Sequence, residues 1–453
     1  FWSGAVLDGA AMVLSHGSSK HRMSGFVLLS TVVVPCISQN AQLASVELHD
    51  VHVASLGVAG NEVVSCRQDR SANSGYHFIC NVIRNTGSSL EKGPPLIRQV
   101  SGIVDLAVAA LSSSTAALCW TLDGDRSIRT SSCVVLTVSG MSLSADFSNQ
   151  VSIEAPDSSS TVEKMALRSS RAASKAVFCQ FLRASQSHDS WNLVCYAMRV
   201  QGSELTLGTM TTVASGQTDS SEATFGELVE MLSSAGDVLI CWSPAHNRVA
   251  CRGATFSGMS LVLGPPGQDL ITTTAELTNW RAAHLANGEV LICGEQWLHE
   301  LLYCYVVSGS AALLSAGPEF QLSDNMNGYA IEHFEANKAL LCYEAKTWRP
   351  DFETKCGILT SQQSTLSGEV RTLLAGGEVS EDIDMAPVSG GFIACYDYST
   401  GIYIGDPWGS TCTMIRVEGD RLGIAAPPPM PTSSAPGRSR LPWLWLAAGA
   451  AAA

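Results

Sequence analysis

The chain has 453 residues, which at roughly 150 residues per domain is room for about three domains or for one large repetitive all-β domain. Lys and Arg number 27 against 41 Asp and Glu, a formal net charge of −14, so no basic surface is available to neutralise phosphates and a nucleic-acid partner is excluded. A hydrophobic content of 46% with 15% charged residues excludes a disordered chain and describes an apolar, Ser/Gly-rich folded one.

In chain order, residues 1–49 form an N-terminal segment with apolar stretches but no basic n-region or clean small-residue cleavage site, so they identify neither a signal peptide nor its absence. From residue 50 onward one unit recurs seven times. A short strand-like run ends in a cysteine at Cys66, Cys119, Cys179, Cys241, Cys293, Cys342 and Cys395, at steps of 53, 60, 62, 52, 49 and 53 residues. A second cysteine follows each, at Cys80, Cys133, Cys195, Cys251, Cys304, Cys356 and Cys412, so that 14 of the 15 cysteines belong to the scheme.

Seven residues beyond the second cysteine stands a glycine in five repeats, Gly87, Gly140, Gly202, Gly258 and Gly419, as tight hairpin turns with positive φ require. Repeat five shortens the step to Gly309, and repeat six puts Gln363 in the glycine's place. Ahead of each first cysteine lies a further apolar run: Val51 to Leu56, Leu106 to Leu111, Lys164 to Arg168, Leu228 to Leu232, Trp280 to Leu285, Tyr329 to Phe334 and Ile383 to Val388. Each repeat therefore reads as four short strands, a to d, bounded by Gly, Ser, Asn or Pro. Seven four-stranded units of this length predict an all-β fold, a seven-bladed β-propeller over 50–426.

The pattern Leu341-Cys342-Tyr343-Glu344, together with Val138-Ser139-Gly140-Met141-Ser142-Leu143, resembles a repeat of uncharacterised marine proteins, notably of dinoflagellates and some phages. The resemblance covers about residues 50–425 and implies propeller blades, without any catalytic residue to carry across. Repeats one, three and five depart from its Cys-aromatic form with Arg67, Gln180 and Gly294.

Opposed residues of an antiparallel pair lie close enough for a disulfide, and strands b and c are joined by a hairpin. Both cysteines persist in every repeat while 9 to 16 residues separate them, which favours the bridges Cys66–Cys80, Cys119–Cys133, Cys179–Cys195, Cys241–Cys251, Cys293–Cys304, Cys342–Cys356 and Cys395–Cys412 over buried free thiols. Such bridges need an oxidising compartment, so the expected location is extracellular or the cell surface; reduced cysteines would indicate the cytoplasm instead. Cys36 is left over. Around it Ser24 to Leu29 is similar to Ser389 to Ala394, so 1–49 reads as the remnant of an incomplete repeat that either adds a strand to the ring or is disordered.

Other motifs offer little chemistry. His49 and His52 lack a third metal ligand, and Asp123-Gly124-Asp125 reads as a turn rather than a calcium loop. Glu381, Asp382 and Asp384 read as a solvated acidic loop in preference to a glycosidase pair. No nucleophile elbow or phosphate loop occurs, so no catalytic residue, metal or cofactor is assigned, and no Asn-linked glycosylation sequon is present. Residues 427–440 form a Pro-rich linker. The uncharged apolar tail 441–453 would span about 20 Å as a helix and reads either as a truncated membrane anchor, hence a tether, or as a disordered tail.

In an a-b-c-d meander the b–c loops emerge on one face of the ring, and the a–b and c–d turns on the other. Long, variable b–c loops make theirs the expected recognition face, and repeats five to seven bring Trp297, Trp348, Tyr398, Tyr403 and Trp408 to it. The function so predicted is a binding propeller recognising a glycan or a protein; the alternatives are a structural or assembly scaffold and a glycan-acting hydrolase or lyase.

Overall fold

The structure is a computed structural model. It describes residues 41–424 apart from 44–47, 57–59, 72–74, 101, 123–129, 156–159, 171–174, 185–189, 218–228, 232–236, 286–287, 297–300, 324–325, 347–351, 376–382 and 400–407. Seven antiparallel sheets, each ordered a-b-c-d, form a seven-bladed β-propeller. Strand a is Leu48–Ser55, Ile103–Ala110, Ser160–Ser170, Val229–Met231, Leu277–His284, Met326–Glu335 and Ile383–Val388 in blades 1 to 7.

The apolar residues of each sheet face its two neighbours, so the core is a ring of inter-blade layers rather than one central mass. Phe78 and Trp120 pack between blades 1 and 2, and Phe178 and Leu182 between blades 2 and 3. The ring is closed by Val53, Val63 and Ile83 of blade 1 against Val388, Ile393 and Met414 of blade 7.

All seven cysteine pairs are directly opposed across strands b and c and bonded, with Cα separations of 4.0–4.1 Å. The glycines expected in the c–d turns have positive φ: 86° at Gly87, 59° at Gly140, 64° at Gly202, 63° at Gly258 and 60° at Gly419. In blade 6 the turn is made by Gln363 and Ser364 with φ of 52° and 60°, so two residues with a Cβ occupy the left-handed region that glycine would enter freely.

The outermost strand is where the sequence reading was too simple. Strand d is split in two in blades 1, 2, 4 and 5, as Leu90–Lys92 with Leu96–Gln99, Ser142–Ala145 with Val151–Glu154, Ser260–Leu263 with Gln268–Thr272, and Leu313–Ala316 with Phe320–Ser323. Three of these breaks fall at Gly93-Pro94, Gly264-Pro265 and Gly317-Pro318, where proline supplies no N–H to continue the ladder. The glycine has its own reason: a Cβ on Gly264 would come within 1.9 Å of the Ala311 carbonyl oxygen in the c–d turn of the next blade.

The second half of strand d keeps one register throughout. Leu96, Val151, Thr211, Gln268, Phe320 and Arg371 each stand opposite the second cysteine of blades 1 to 6. Among the described residues blade 7 has only Arg421–Ile424 after its c strand, Trp408–Glu418. Its missing half is Ala41–Leu43 from the other end of the chain, with Ala41 opposite Cys412. The boundary expected at residue 50 therefore moves: strand a of blade 1 starts at Leu48, and part of the segment 1–49 is a strand of the ring. Cys36 and the remainder, 1–40, lie outside the described residues, as do 427–440 and the tail 441–453.

Candidate functional site

The strands a surround an axial channel. Toward their C-terminal ends it widens into a cavity of about 660 Å³, the size range of small-ligand sites. Gly390 and Gly391 of the blade 7 a–b turn and Gly419 of its c–d turn lie in the wall, so the cavity belongs to the tight-turn face, opposite the b–c face favoured from the sequence.

Two sectors make up this wall. Blades 7, 1 and 2 supply mostly apolar side chains, among them Val53, Val108, Ala109, Met385 and Val388, together with Ser55. Blades 3 to 6 supply Arg168, Glu230, His284, Glu332, His333 and Glu335. Nε of Arg168 donates to Glu230 at 2.8 Å, joining blade 3 to blade 4. The rings of His284 and His333 meet edge to face, 5.6 Å between centroids. Burial, and secondarily the neighbouring His284, holds the His333 pKa below the ordinary histidine value. Its Nε2 is buried without a hydrogen-bond partner, a further cost to ordering this ring.

Below the cavity the channel narrows past His52, Arg281, Glu332 and Asp384. This corrects the reading of Asp384 as part of a solvated acidic loop. It follows Ile383, the first residue of strand a, and its Oδ2 accepts from the backbone N–H of Val53 at 2.7 Å while Oδ1 accepts from Met385 N at 2.8 Å. Asp105 does the same between blades 2 and 3, accepting from Met165 N at 2.8 Å and from Leu106 N at 3.0 Å. Nη1 of Arg281 lies 4.0 Å from Asp384. Of the two histidines singled out in the sequence, His52 stands opposite Cys66 and lines the channel, and His49 pairs with Gln68 in the same strand. Among the described residues no cluster of three or more His, Cys, Asp or Glu is placed to hold a metal ion.

The aromatic residues expected at the b–c face fall largely outside this description. Trp297, Trp348 and Tyr403 lie outside the described residues, as does Asp123-Gly124-Asp125. Tyr398 and Trp408 are placed in strands, opposite Gly409 and Ser399 respectively, and only their backbones are described.

The b–c loops themselves are shorter than the cysteine spacing suggests, because strands b and c run well past the disulfides. Strand b of blade 1 extends to Ser71 and strand c starts at Gly75; in blade 4 they end at Ala245 and resume at Arg248, and in blade 7 they end at Ser399 and resume at Trp408. The connections thus range from two residues, His246 and Asn247, to the eight of 400–407.

No family model matches the chain, and no curated protein is similar to it. Among solved structures it is similar to the NanB sialidase of Streptococcus pneumoniae, with 8% identity, TM-score 0.44, and coverage of 83% of this chain and 69% of that one. It is also similar to a mutant of AofleA from Arthrobotrys oligospora, at 10% identity and TM-score 0.39 over 76% and 89% of the two chains. A third is the WD40 domain of SCAP from fission yeast, at 9% identity and TM-score 0.33 over 82% and 96%. The seven disulfides favour an extracellular, oxidising compartment. Among the described residues no helix is long and apolar enough to cross a membrane.

Proposed function

We propose that the protein is a secreted or cell-surface binding propeller that recognises a glycan or a protein through its b–c face. The observation that carries this reading is the seven b–c hairpins, each stapled by a disulfide at one common register while their connections differ from two residues to eight. A covalently fixed base under ends of unequal length is what a recognition surface needs: rigid elements below, variable loops above. On the opposite face the c–d turns have two residues in blades 2 to 7 and four in blade 1. The proposed contact patch is centred on Trp348 with Trp297 and Trp408 flanking it, and Tyr398 and Tyr403 are assigned to the same face, because aromatic side chains give large rigid contact area at low entropic cost.

Binding is favoured over glycoside chemistry by the state of the channel carboxylates. Asp105 and Asp384 accept backbone N–H bonds that tie neighbouring blades together, and Glu230 is bonded to Arg168. The test is a glycan array and a pull-down from extracellular fluid, followed by Trp348→Ala and Trp408→Ala. Both variants are expected to lose the partner while keeping stability within about 1 kcal/mol. Variants that bind as before, or that unfold, would locate the ligand elsewhere or assign these rings to the scaffold.

A further inference from the structure

Each blade ends in an outer strand d with one side unpaired, and such an edge is a template for another chain unless breaks, prolines, charges or bulges blunt it. Strand d is divided in blades 1, 2, 4 and 5. In blade 3 the long strand Glu204–Gln217 slips twice against strand c, at Leu193/Val194 and at Tyr196/Met198. The edge of blade 7 is assembled from Arg421–Ile424 and Ala41–Leu43. Blade 6 is the exception. Its strand d, Thr365–Ala375, contains no proline and keeps eight consecutive pairs with strand c, from Thr365 to Thr372. Among the described residues no strand pairs with its other side.

The register decides which backbone groups face outward. Cys342 and Cys356 are directly opposed with Cα atoms 4.1 Å apart, the close spacing of a non-hydrogen-bonded pair. The N–H and C=O of Cys356 therefore point away from strand b and toward strand d. Arg371, opposite Cys356, returns its own groups to strand c, and Glu369, two residues earlier, does the same. Gly368 and Val370, on the alternate positions, direct theirs outward. Glu369 and Arg371 are the only charged residues of the strand and lie on one face of it. Both are well exposed, with Nη2 of Arg371 3.8 Å from Oε2 of Glu369.

We propose that this strand is an interface for a second copy of the chain, pairing antiparallel with its own equivalent about a two-fold axis through Val370. Val370 then exchanges both backbone bonds with Val370 of the second copy. The flanking positions set Glu369 of each copy opposite Arg371 of the other, at the close spacing of non-hydrogen-bonded pairs. The order of charges selects this register, since moving the axis one residue, to Glu369 or to Arg371, would oppose like charges. The same order selects the occupant. Read outward from Val370, the strand carries a negative charge on one side and a positive charge on the other, so it is its own complement under a two-fold rotation. Two chains of net charge −14 repel at long range, and two pairs of opposite charge at the contact offset this locally. The interface lies on the outer edge of blade 6 and uses neither the b–c connections nor the axial cavity.

Sedimentation velocity on the full chain over a concentration series tests this, and a monomer–dimer equilibrium is expected. Val370→Pro removes an N–H that strand c does not use, so it should abolish the dimer and leave a folded monomer by circular dichroism. Glu369→Arg and Arg371→Glu should each weaken dimerisation by at least about tenfold. The two changes together restore the complementary order and should return the dissociation constant to within about threefold of the original. Mixing the two single variants should likewise give a heterodimer. Monomer alone at about 0.1 mM, a dimer indifferent to Val370→Pro, or a double variant no better than the single ones would each overturn the proposal. Should Val370→Pro fail to fold, the exposed charge changes decide the matter by themselves.

Discussion

Oδ2 of Asp384 accepts a hydrogen bond from the backbone N–H of Val53 at 2.7 Å, across 331 residues of sequence and across the junction between the last blade and the first. The bond between Asp105 and Met165 repeats it within the ring, between the second blade and the third. A carboxylate in this role satisfies an inner-edge N–H that the neighbouring strand a cannot reach with its own carbonyls.

Replacing Asp384 by Ala leaves the Val53 N–H without its partner and should destabilise the fold by about 1–3 kcal/mol. Asp105→Ala should cost a similar amount. Chemical denaturation of both variants checks this, and an unchanged midpoint for Asp384→Ala would remove the bond from any part in holding the ring shut.

The strand Ala41–Leu43 fills the half of strand d that blade 7 lacks. Deleting the chain through Leu43 should lower the melting temperature and open Cys395–Cys412 to reductant before the other six bridges, because the c strand carrying Cys412 would then have a bare edge. Mass mapping after graded reduction reads the order of opening. A random order, with no loss of melting temperature, would contradict this.

The seven bridges close loops of 10 to 17 residues, and each is buried. Alkylation without reduction followed by peptide mapping should recover the seven intra-blade links. Replacing any one pair by Ala should cost about 3 kcal/mol, as the chain-entropy account gives for a loop near 15 residues. Differential scanning calorimetry of the Cys241/Cys251 and Cys395/Cys412 double variants is the direct comparison.

Gln363 is held at φ 52° in a two-residue turn. Gln363→Gly relieves that conformation and should stabilise the protein by about 1 kcal/mol, while Gly140→Ala, with φ of 59°, should destabilise it by a comparable amount. Opposite signs for the two changes, read from denaturation midpoints, are the expected result.

His333 has its pKa lowered, chiefly by burial. Its neutral form is the one the fold accommodates, so nothing is lost above the ordinary histidine value of about 6.5. As pH falls below that value the unfolded chain takes up the proton first, and stability declines until the folded-state pKa is passed. His284 beside it opposes the charge, and Glu230 partly offsets this. His333→Asn should therefore flatten part of the fall in melting temperature as pH drops below about 6.5.

The blade count and the disulfide partners were legible because each rests on a local signal repeated seven times, a cysteine within an apolar run and a glycine at a fixed step. Ring closure through Ala41–Leu43 was less so, since three residues with no special chemistry pair with a strand at the far end of the chain. The divided outer strand did leave a trace, in Gly93-Pro94, Gly264-Pro265 and Gly317-Pro318, which is readable once proline's missing N–H is set against an edge strand. Asp384 was misread for a different reason. An acidic run looks solvated in one dimension, and only the ring turns its last member toward another blade's backbone. The channel wall was invisible for the same cause: its residues come one to four at a time from the seven a strands, with a few more from the turns and outer strands of blade 7.

Because Ala41–Leu43 precedes all seven blades in the sequence and pairs with Trp408–Glu418 of the last, it is translated long before the strand it joins. For most of synthesis the nascent chain carries a strand with no partner of its own. Meanwhile each completed blade fills its own outer edge, with Leu96 opposite Cys80, for example, before the next is translated. Early completion of those edges denies the waiting strand a wrong berth. The circle is thereby dated: maturation is a single late event, gated by arrival of the seventh repeat, and a chain truncated within that repeat would emerge as a string of stapled but unclosed blades.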